Sequence, residues 1–249
     1  MPPLTDRELS PQVGQRLLRQ MVENVKNPKT APIVDANPTV LNGHTTYANA
    51  TRFAAEEQVL FRESPVIAGL SGDLPAPNDY KRFEVAGKSV LLTRDSDGVF
   101  HAFENACRHR AMELVSAEAP AGNKQLHVCP YHAWAYGSDG ALLSVPFEQG
   151  FTNDEGAEHA TDRGGLIELP SAERAGLLFV VATKISDAHF ERMMAEVMPP
   201  ELQAELEIAQ LDGLMRVQSQ DMVIDANWKL PVDTFCESCK YTSNSQVCL

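Results

Sequence analysis

The 249-residue sequence has no long hydrophobic run and is short of basic residues. No apolar stretch approaches the roughly 20 residues that cross a bilayer, and residues 1–12 lack the apolar core of a signal peptide. We therefore expect a cytoplasmic protein with no membrane partner. The 21 Lys and Arg against 34 Asp and Glu give a formal charge of -13. Such a charge repels nucleic acid, so we expect no nucleic-acid partner either.

Cysteine is also scarce, and no histidine follows His189. Five cysteines are too few and too clustered for a disulfide scaffold, so free thiols or metal ligands are the better interpretation. Cys236 and Cys239 form a Cys-x-x-Cys pair, but no fourth ligand or βαβ pattern accompanies them and we do not predict a site there. The five are Cys107, Cys129, Cys236, Cys239 and Cys248.

At 43% hydrophobic residues the chain can bury a core, and the period of its apolar residues changes along its length. Residues 11–27 and 51–64 have helical periodicity, with an extended connector at 28–47 between them and Pro65 ending the second helix. From Tyr80 the period becomes two. It predicts a small antiparallel sandwich or barrel with strands at 80–87, 88–98, 99–105, 125–128, 133–143 and 176–182.

The pattern changes again after this β-rich region. Residues 187–206 predict a helix with Asp187 as its N-cap, and residues 213–226 predict a long strand with alternating Leu214, Arg216 and Gln218. We therefore divide the chain into three predicted regions. They are a helical arm and connector over 1–50, a β domain with its leading helix over 51–185, and the start of a second domain over 186–249.

Two Cys-His pairs carry the most specific chemistry. Cys107-x-His109 and Cys129-x-x-His132 are separated by residues 110–128, and each follows a predicted strand. Two thiolates and two imidazoles are a known structural zinc set. Zinc sites usually pair Cys with Cys and His with His, however, whereas each loop here supplies one of each. That mixing suits a [2Fe-2S] cluster of the Rieske type, with Cys107 and Cys129 on one iron and His109 and His132 on the other.

This ligand set predicts an electron carrier. Neutral imidazoles in place of anionic thiolates leave less negative charge on the reduced cluster, so the reduction potential rises. The thiolate-bound iron is expected to stay ferric while the imidazole-bound iron cycles. The imidazoles are expected to lie toward solvent, where they give the electron an exit. A zinc-binding fold without redox chemistry is the weakest alternative.

Side chains near the pairs receive more modest predictions. We expect Trp134 and Tyr136 to wall the cluster off from water, which lowers the local dielectric. His127 alternates with apolar neighbours on its predicted strand, and we expect it to face solvent. Arg108 and Arg110 flank the first pair, either in surface salt bridges or as a docking spot for an acidic partner.

The segment "CRHR…CPYHAWAYGSDGALLSVP" resembles the Rieske segment of the bacterial ring-hydroxylating oxygenases, with its Cys-x-His-Arg and Cys-Pro-x-His motifs. Ala133 stands where that family usually has Gly, which requires a little more room but removes no ligand. Quinol-oxidising Rieske proteins carry two further cysteines, and Met112 and Tyr131 occupy their places. We therefore group the chain with the large (α) subunits of the oxygenases.

That resemblance implies a fold, an activity and partners. The fold is mainly β with a helical N-terminal arm: a Rieske-type antiparallel β-sandwich plus an incomplete α+β, helix-grip-like catalytic domain. The activity is O2-dependent hydroxylation of an aromatic or similar small organic substrate, with electrons from an NAD(P)H-dependent reductase or a ferredoxin. Family members assemble as homo-trimers, so a homo-trimer is expected.

The resemblance continues over residues 225–238, which are similar to the Asn-Trp-Lys segment that opens the family's catalytic domain. Glu237 matches the acidic residue that bridges to the cluster of a neighbouring subunit. The family then holds a mononuclear Fe(II) with two His and an Asp. Here Lys240 and Ser245 stand at the two His positions, so we expect that iron to be absent. The tail 239–249 is atypical and suggests truncation or a changed reading frame.

Two redox functions therefore remain open from the sequence. The first is an oxygenase-type subunit whose mononuclear iron site has been lost. The second is a stand-alone Rieske electron-transfer protein without oxygenase activity.

Overall fold

The computed structural model describes residues 43–147, 164–214, 216–218 and 222–236. The chain divides into two compact units, Ala55–Ser219 and Met1–Ala54 with Gln220–Leu249. The helix predicted at 11–27 and the atypical tail 239–249 lie outside the described residues. Within the described ranges, no helix combines the length and apolarity that crossing a bilayer requires.

Within the described residues of the unit Ala55–Ser219, ten strands form three antiparallel sheets. One sheet has the order β1-β10-β9, a second β4-β3-β2-β5 and a third β6-β7-β8. The mainly β, antiparallel prediction is confirmed. The strands are β1 (Val66–Leu70), β2 (Asp79–Val85), β3 (Lys88–Arg94), β4 (Phe100–Glu104), β5 (Ala121–Asn123), β6 (Leu126–Val128), β7 (Ala135–Gly137), β8 (Leu142–Ser144), β9 (Ser171–Arg174) and β10 (Leu177–Val180).

Two tight hairpins set the register of the larger sheets. Val85 pairs with Lys88 across a turn whose central residues, Ala86 and Gly87, have φ of 47° and 71°. The β9–β10 hairpin has the same design, with φ of 47° at Ala175 and 81° at Gly176. Two consecutive positive φ values are the signature of a type I′ turn, which matches the natural twist of paired strands.

A buried cluster joins the four-stranded sheet to the β6-β7-β8 sheet. It contains Tyr80, Leu91 and Phe103 from the first and Tyr136 from the second, together with Cys107 and Cys129. The backbone N–H of Leu166 donates to the carbonyl of Gly140 at 2.8 Å. Gly140 has φ of 79°, and a Cβ there would overlap the Phe103 ring. Glycine is therefore required where the two sheets meet.

Helices surround the sheets of this unit, and two predictions about them need correction. The cap of the first helix after the sheets is Ser186, whose Oγ accepts from the His189 N–H, and not Asp187. The predicted helix 187–206 is interrupted because Pro199 has no N–H to continue it. The helical segments are a π-helix (Glu57–Arg62), α3 (Asp187–Val197), α4 (Pro200–Ala209) and 3-10 turns at Ser71–Asp73 and Leu211–Gly213.

The long strand predicted over 213–226 is wrong. In its described part, 213–214, 216–218 and 222–226, no residue belongs to a strand. The guanidinium of Arg216 instead donates to both carboxylate oxygens of Asp73, at 2.8 and 2.6 Å. Lys81 also pairs with this nearly buried carboxylate at 2.8 Å. A bidentate charge-assisted contact outweighs the weak alternation that the sequence displays.

The other unit holds short helices joined by polar contacts. The Tyr47 hydroxyl donates to the Asp233 carboxylate at 2.8 Å, and the Asn227 amide donates to the Tyr47 carbonyl at 3.0 Å. These bonds fix the Asn-Trp-Lys segment at the start of the last helix. The helices that begin in this unit are α1 (Thr45–Ala48), α2 (Ala50–Glu56) and α5 (Lys229–Cys236).

Candidate metal centre

Two loops with the same backbone design carry the Cys-His pairs. In the loop between β4 and β5, the N–H of Ala111 donates to the Cys107 carbonyl at 2.8 Å. In the loop between β6 and β7, the N–H of Ala133 donates to the Cys129 carbonyl at 3.0 Å. Each Cys N–H in turn donates to the residue that follows the Ala. The two turns are therefore structural repeats, which explains the repeated order of Cys and His.

The alanine in each turn lies in the left-handed region of backbone space, with φ of 55° at Ala111 and 56° at Ala133. A residue with a Cβ costs roughly 1–2 kcal/mol more than Gly in that conformation. The sequence comparison predicted only a slight demand for room at Ala133. The structure corrects this prediction, because the cost of the methyl group there is conformational strain in the backbone.

The two loops bring all four predicted ligands together. The rings of His109 and His132 lie 4.6 Å apart between centroids. The thiols of Cys107 and Cys129 are both buried, and Cys107 helps to raise the pKa of the Cys129 thiol. His132 is exposed and His109 is half-buried with its Nδ1 fully covered. The sulfur end of the site is thus buried and the imidazole end lies near solvent.

The arrangement suits two metal ions better than one. Across the described ranges, no group of three or more His, Cys, Asp or Glu side chains is placed to hold a single metal ion. Structural zinc requires four ligands around one centre. A two-iron cluster requires only two ligands at each end, and sulfides link the irons. A pair of buried thiols and a pair of neighbouring imidazoles match that requirement, so the donor set fits a [2Fe-2S] group.

Aromatic side chains pack against the imidazole end of the site. Trp134 is buried and stacks on the His109 ring, with centroids 5.1 Å apart and planes 6° from parallel. The rings of Tyr131 and His132 lie against each other, with centroids 3.7 Å apart. A mainly apolar cleft of about 400 Å³ adjoins both histidines, and the exposed Phe147 forms part of its wall. The predicted shielding by Trp134 is consistent with this packing.

Tyr136 is also buried, as predicted, but it makes a contact that the sequence did not reveal. Its hydroxyl lies 3.2 Å from the Cys107 sulfur and accepts from the Arg108 backbone N–H at 3.0 Å. Burial and the neighbouring Cys107 raise the pKa of the Tyr136 hydroxyl well above its usual value. An iron-bound thiolate carries no proton, so Tyr136 is the donor in a loaded site. Only the folded loops reveal this contact.

The second thiol is held by backbone groups. Burial raises the pKa of the Cys129 thiol, while backbone hydrogen bonds from His132 and Tyr131 act in the opposite direction. These N–H groups come from the same tight turn that supplies the second imidazole. The turn therefore stabilises the thiolate form that an iron ligand requires.

Asn105 organises the first loop, and sequence reasoning missed it. Its side-chain oxygen accepts from the N–H groups of Leu114 and Val115, both at 3.1 Å, and its amide donates to the Val115 carbonyl at 2.7 Å. The side chain is almost fully buried. Asn105 thus ties the start of the loop to its middle, on either side of the first Cys-His pair. The signal was an Asn two positions before a ligand Cys, which a single sequence does not distinguish from an ordinary turn residue.

The prediction that His127 faces solvent is wrong. Its side chain is fully buried, whereas its neighbours Leu126 and Val128 are exposed. Burial, with a smaller contribution from Lys124, lowers the pKa of His127 to about 4. The alternation on β6 was read correctly, but its apolar residues were assigned to the inner face. Here the outer face is the apolar one.

The other residues discussed in the sequence analysis either lie outside the described residues or are placed beside the ligands. Glu237, Lys240 and Ser245 are not among the described residues, and neither are Cys239 and Cys248. Arg110 is exposed beside the first pair, while Arg108 lies at the edge of a cleft of about 610 Å³ that also contains Lys184 and Glu191.

Comparison with known proteins identifies the type of domain. Residues 64–155 match the Rieske [2Fe-2S] domain family. The chain is 36% identical over 130 residues to the large oxygenase component of the 2,4-dinitrotoluene dioxygenase system of Burkholderia sp. (strain RASC), which covers 52% of this chain and 28% of that protein. It is 32% identical over 195 residues to the carnitine monooxygenase oxygenase subunit of Escherichia coli (strain K12), covering 77% of this chain and 48% of that protein.

Solved structures of similar proteins agree with this. The quaternary ammonium Rieske monooxygenase CntA in complex with an inhibitor superposes with a TM-score of 0.67 at 26% identity, covering 79% of this chain and 52% of that one. Naphthalene 1,2-dioxygenase from Rhodococcus sp. gives a TM-score of 0.61 at 26% identity, with 92% and 48% covered. The chain spans about half the length, or less, of these relatives.

Proposed function

Since this chain carries a Rieske [2Fe-2S] domain and is homologous to the large subunits of Rieske oxygenases, we propose that it is the electron-transfer part of such an oxygenase. Cys107 and Cys129 hold one iron of the cluster, and His109 and His132 hold the other. The observation that carries this assignment is the meeting of a buried thiol pair and a more exposed imidazole pair on two repeated turns. When bound, the cluster accepts and passes on one electron at a time.

The protein around these ligands is suited to that task. Tyr136 donates a hydrogen bond to the Cys107 sulfur, and backbone N–H groups of the second turn face the Cys129 sulfur. Both contacts stabilise negative charge, which grows when the site is reduced. Trp134 excludes water from the His109 side, while His132 remains exposed. The exposed imidazole edge would therefore be the side that a redox partner approaches.

The family resemblance supports a proposal for the electron donor and for the route to the acceptor. We propose that an NAD(P)H-dependent reductase or a ferredoxin supplies the electrons. Glu237 is the carboxylate that bridges to the cluster of a neighbouring subunit in a homo-trimer. Among the relatives, the protein names mention 2,4-dinitrotoluene, naphthalene and carnitine. We propose an aromatic or similar small organic substrate for the oxygenase to which this chain corresponds.

The chain as printed lacks the two histidines that would hold the mononuclear iron of the family. Lys240 and Ser245 stand in their place, and an ammonium group repels Fe(II) at neutral pH. We therefore propose that this chain holds the cluster irons alone. The domain boundaries that accompany the proposal are 51–185 for the cluster domain and 186–249 for the start of the catalytic domain.

Iron and sulfide analysis of anaerobically purified protein tests the proposal. We expect about two irons and two sulfides per chain, with broad visible bands that bleach on reduction. About three irons with NADH-coupled product formation would overturn the statement on Lys240 and Ser245. A colourless zinc protein would overturn the cluster assignment itself. Cys107→Ala and His132→Ala should lose the visible bands, whereas Met112→Ala, an exposed change in the same loop, should keep them.

A further inference from the structure

We infer that His127 is a positioning residue whose ring holds the Tyr136 hydroxyl against the Cys107 sulfur. The inference rests on the proposed cluster, because a change in reduction potential is what it predicts. His127 itself lies two positions before a ligand cysteine but is not a ligand. Its side chain is fully buried and faces the same interior as Tyr136.

The register of the β6–β7 pair places the two side chains opposite each other. His127 and Tyr136 are directly opposite each other in the antiparallel register. Side chains at opposite positions leave the sheet on the same face, with Cβ atoms about 5 Å apart. Both side chains have no exposed surface. The hydroxyl end of Tyr136 reaches Cys107 at 3.2 Å, so His127 lies opposite the residue that makes this contact.

The far side of His127 is closed by Tyr80. The two rings meet edge to face, with centroids 5.3 Å apart and planes at 86°. The Tyr80 ring lies close over Gly122, where an added Cβ would be only 3.0 Å from its hydroxyl. The ammonium of Lys124 lies over the Tyr80 ring at 4.3 Å. His127 therefore contacts the Tyr80 ring and lies opposite Tyr136 on the neighbouring strand.

His127 acts through the shape of its ring and not through hydrogen bonds. Neither ring nitrogen has a hydrogen-bond partner among the described residues. A buried polar group without a partner costs about 1–3 kcal/mol, so an apolar residue of the same shape should make the fold more stable. A planar ring without nitrogens, as in Phe, should then keep Tyr136 in place. A small side chain should leave a gap into which Tyr136 can move.

The consequence reaches the site through one hydrogen bond. A hydroxyl that donates to a thiolate stabilises the reduced, more negative state more than the oxidised state, and so favours reduction. If Tyr136 retreats, that preference is lost in part. His127→Ala should therefore lower the equilibrium constant for reduction by about threefold to tenfold, the range expected for weakening one hydrogen bond. The change cannot exceed that of Tyr136→Phe, which removes the bond entirely.

The test measures the reduction potential of the iron- and sulfide-loaded protein by a redox titration followed by EPR. The variants are His127→Ala, His127→Leu, His127→Phe and Tyr136→Phe, with His127→Ala also made in the Tyr136→Phe background. His127→Leu leaves a smaller gap and provides the measurement if His127→Ala does not fold. Val90→Ala is the control, since Val90 is equally buried but belongs to a core cluster without Tyr136.

We expect His127→Ala and His127→Leu to lower the reduction potential. His127→Phe should keep the wild-type potential and raise the thermal stability. Val90→Ala should lower the stability and leave the potential unchanged. In the Tyr136→Phe background, His127→Ala should have no further effect. Equal potentials in wild type, His127→Ala and His127→Leu, or additive effects in the double variant, would overturn the inference. Failure of the wild type to bind iron would instead refute the proposed function.

Discussion

Removal of the Tyr136 hydroxyl is the most informative single change at the site. Tyr136→Phe keeps the buried ring and deletes the hydroxyl that lies 3.2 Å from the Cys107 sulfur. The Arg108 N–H, which donates to that hydroxyl at 3.0 Å, loses its acceptor as well. The fold should survive, because the ring that fills the core is unchanged. We expect the cluster to form and to become harder to reduce.

The size of the effect follows from the strength of the bond. A hydrogen bond to a charged group contributes about 1.5–3 kcal/mol. A tenfold change in a one-electron equilibrium corresponds to 59 mV, or about 1.4 kcal/mol, so full loss would lower the potential by about 60–130 mV. The true shift is smaller to the extent that the oxidised cluster also benefits from the bond. A decrease of some tens of millivolts is therefore expected.

The assay is protein-film voltammetry of the loaded protein at fixed pH, with Tyr131→Phe as the matched control. Tyr131 is exposed and lies against His132, so its variant removes a tyrosine hydroxyl close to the site without touching sulfur. Its potential should stay near that of the wild type. An unchanged or higher potential in Tyr136→Phe would refute the assignment of Cys107 as a cluster thiolate bonded by Tyr136.

Three further predictions concern stability. Ala133→Gly should raise the free energy of unfolding by about 1 kcal/mol in urea titrations, because it relieves a left-handed φ of 56°, and a loss of stability would contradict this reading of the turn. Gly140→Ala should lower it by at least about 1 kcal/mol, since the added methyl group overlaps the Phe103 ring; an unchanged midpoint would argue against the contact. The Asp73 carboxylate is nearly buried, which by itself raises its pKa, but bonds from Lys81, the Leu70 N–H and Arg216 outweigh this and the net pKa is lowered from 3.8. The ionised Asp73 carboxylate therefore stabilises the fold above pH about 4, and this stabilisation is lost as the pH falls through the lowered pKa of the folded state. Asp73→Asn should lower the free energy of unfolding by about 3 kcal/mol at pH 7 and by less at pH 2. Equal losses at both pH values would contradict this prediction.

The sequence predicted the site better than its surroundings. Ligand type, order and spacing predicted Cys107, His109, Cys129 and His132 as ligands, because metal chemistry restricts which side chains can serve, and the structure brings these four residues together. The alternation of apolar residues from Tyr80 onward located the strands on either side of them. These features involve residues that are close together in the sequence, so a single sequence reveals them without any knowledge of the fold.

The errors arose where a distant partner decides the outcome. His127 was assigned to the wrong face, because β6 packs a histidine inward and exposes its apolar residues. The predicted strand after Gly213 gave way to the pairing of Arg216 with Asp73, 143 positions away in the chain. The contacts of Tyr136 and Asn105 likewise depend on loops that meet only in the folded protein. The spacing of residues along the sequence does not reveal such long-range contacts.

The central claim is that two thiols and two imidazoles share a two-iron cluster, and EPR of the reduced protein tests it most directly. Mixed nitrogen and sulfur ligation gives a reduced [2Fe-2S] signal with a lower average g value than a cluster held by four thiolates. We predict that Rieske-type signal in the wild type at about one spin per two irons. A signal typical of four-thiolate ligation, or no signal from a protein that contains iron and sulfide, would contradict the account.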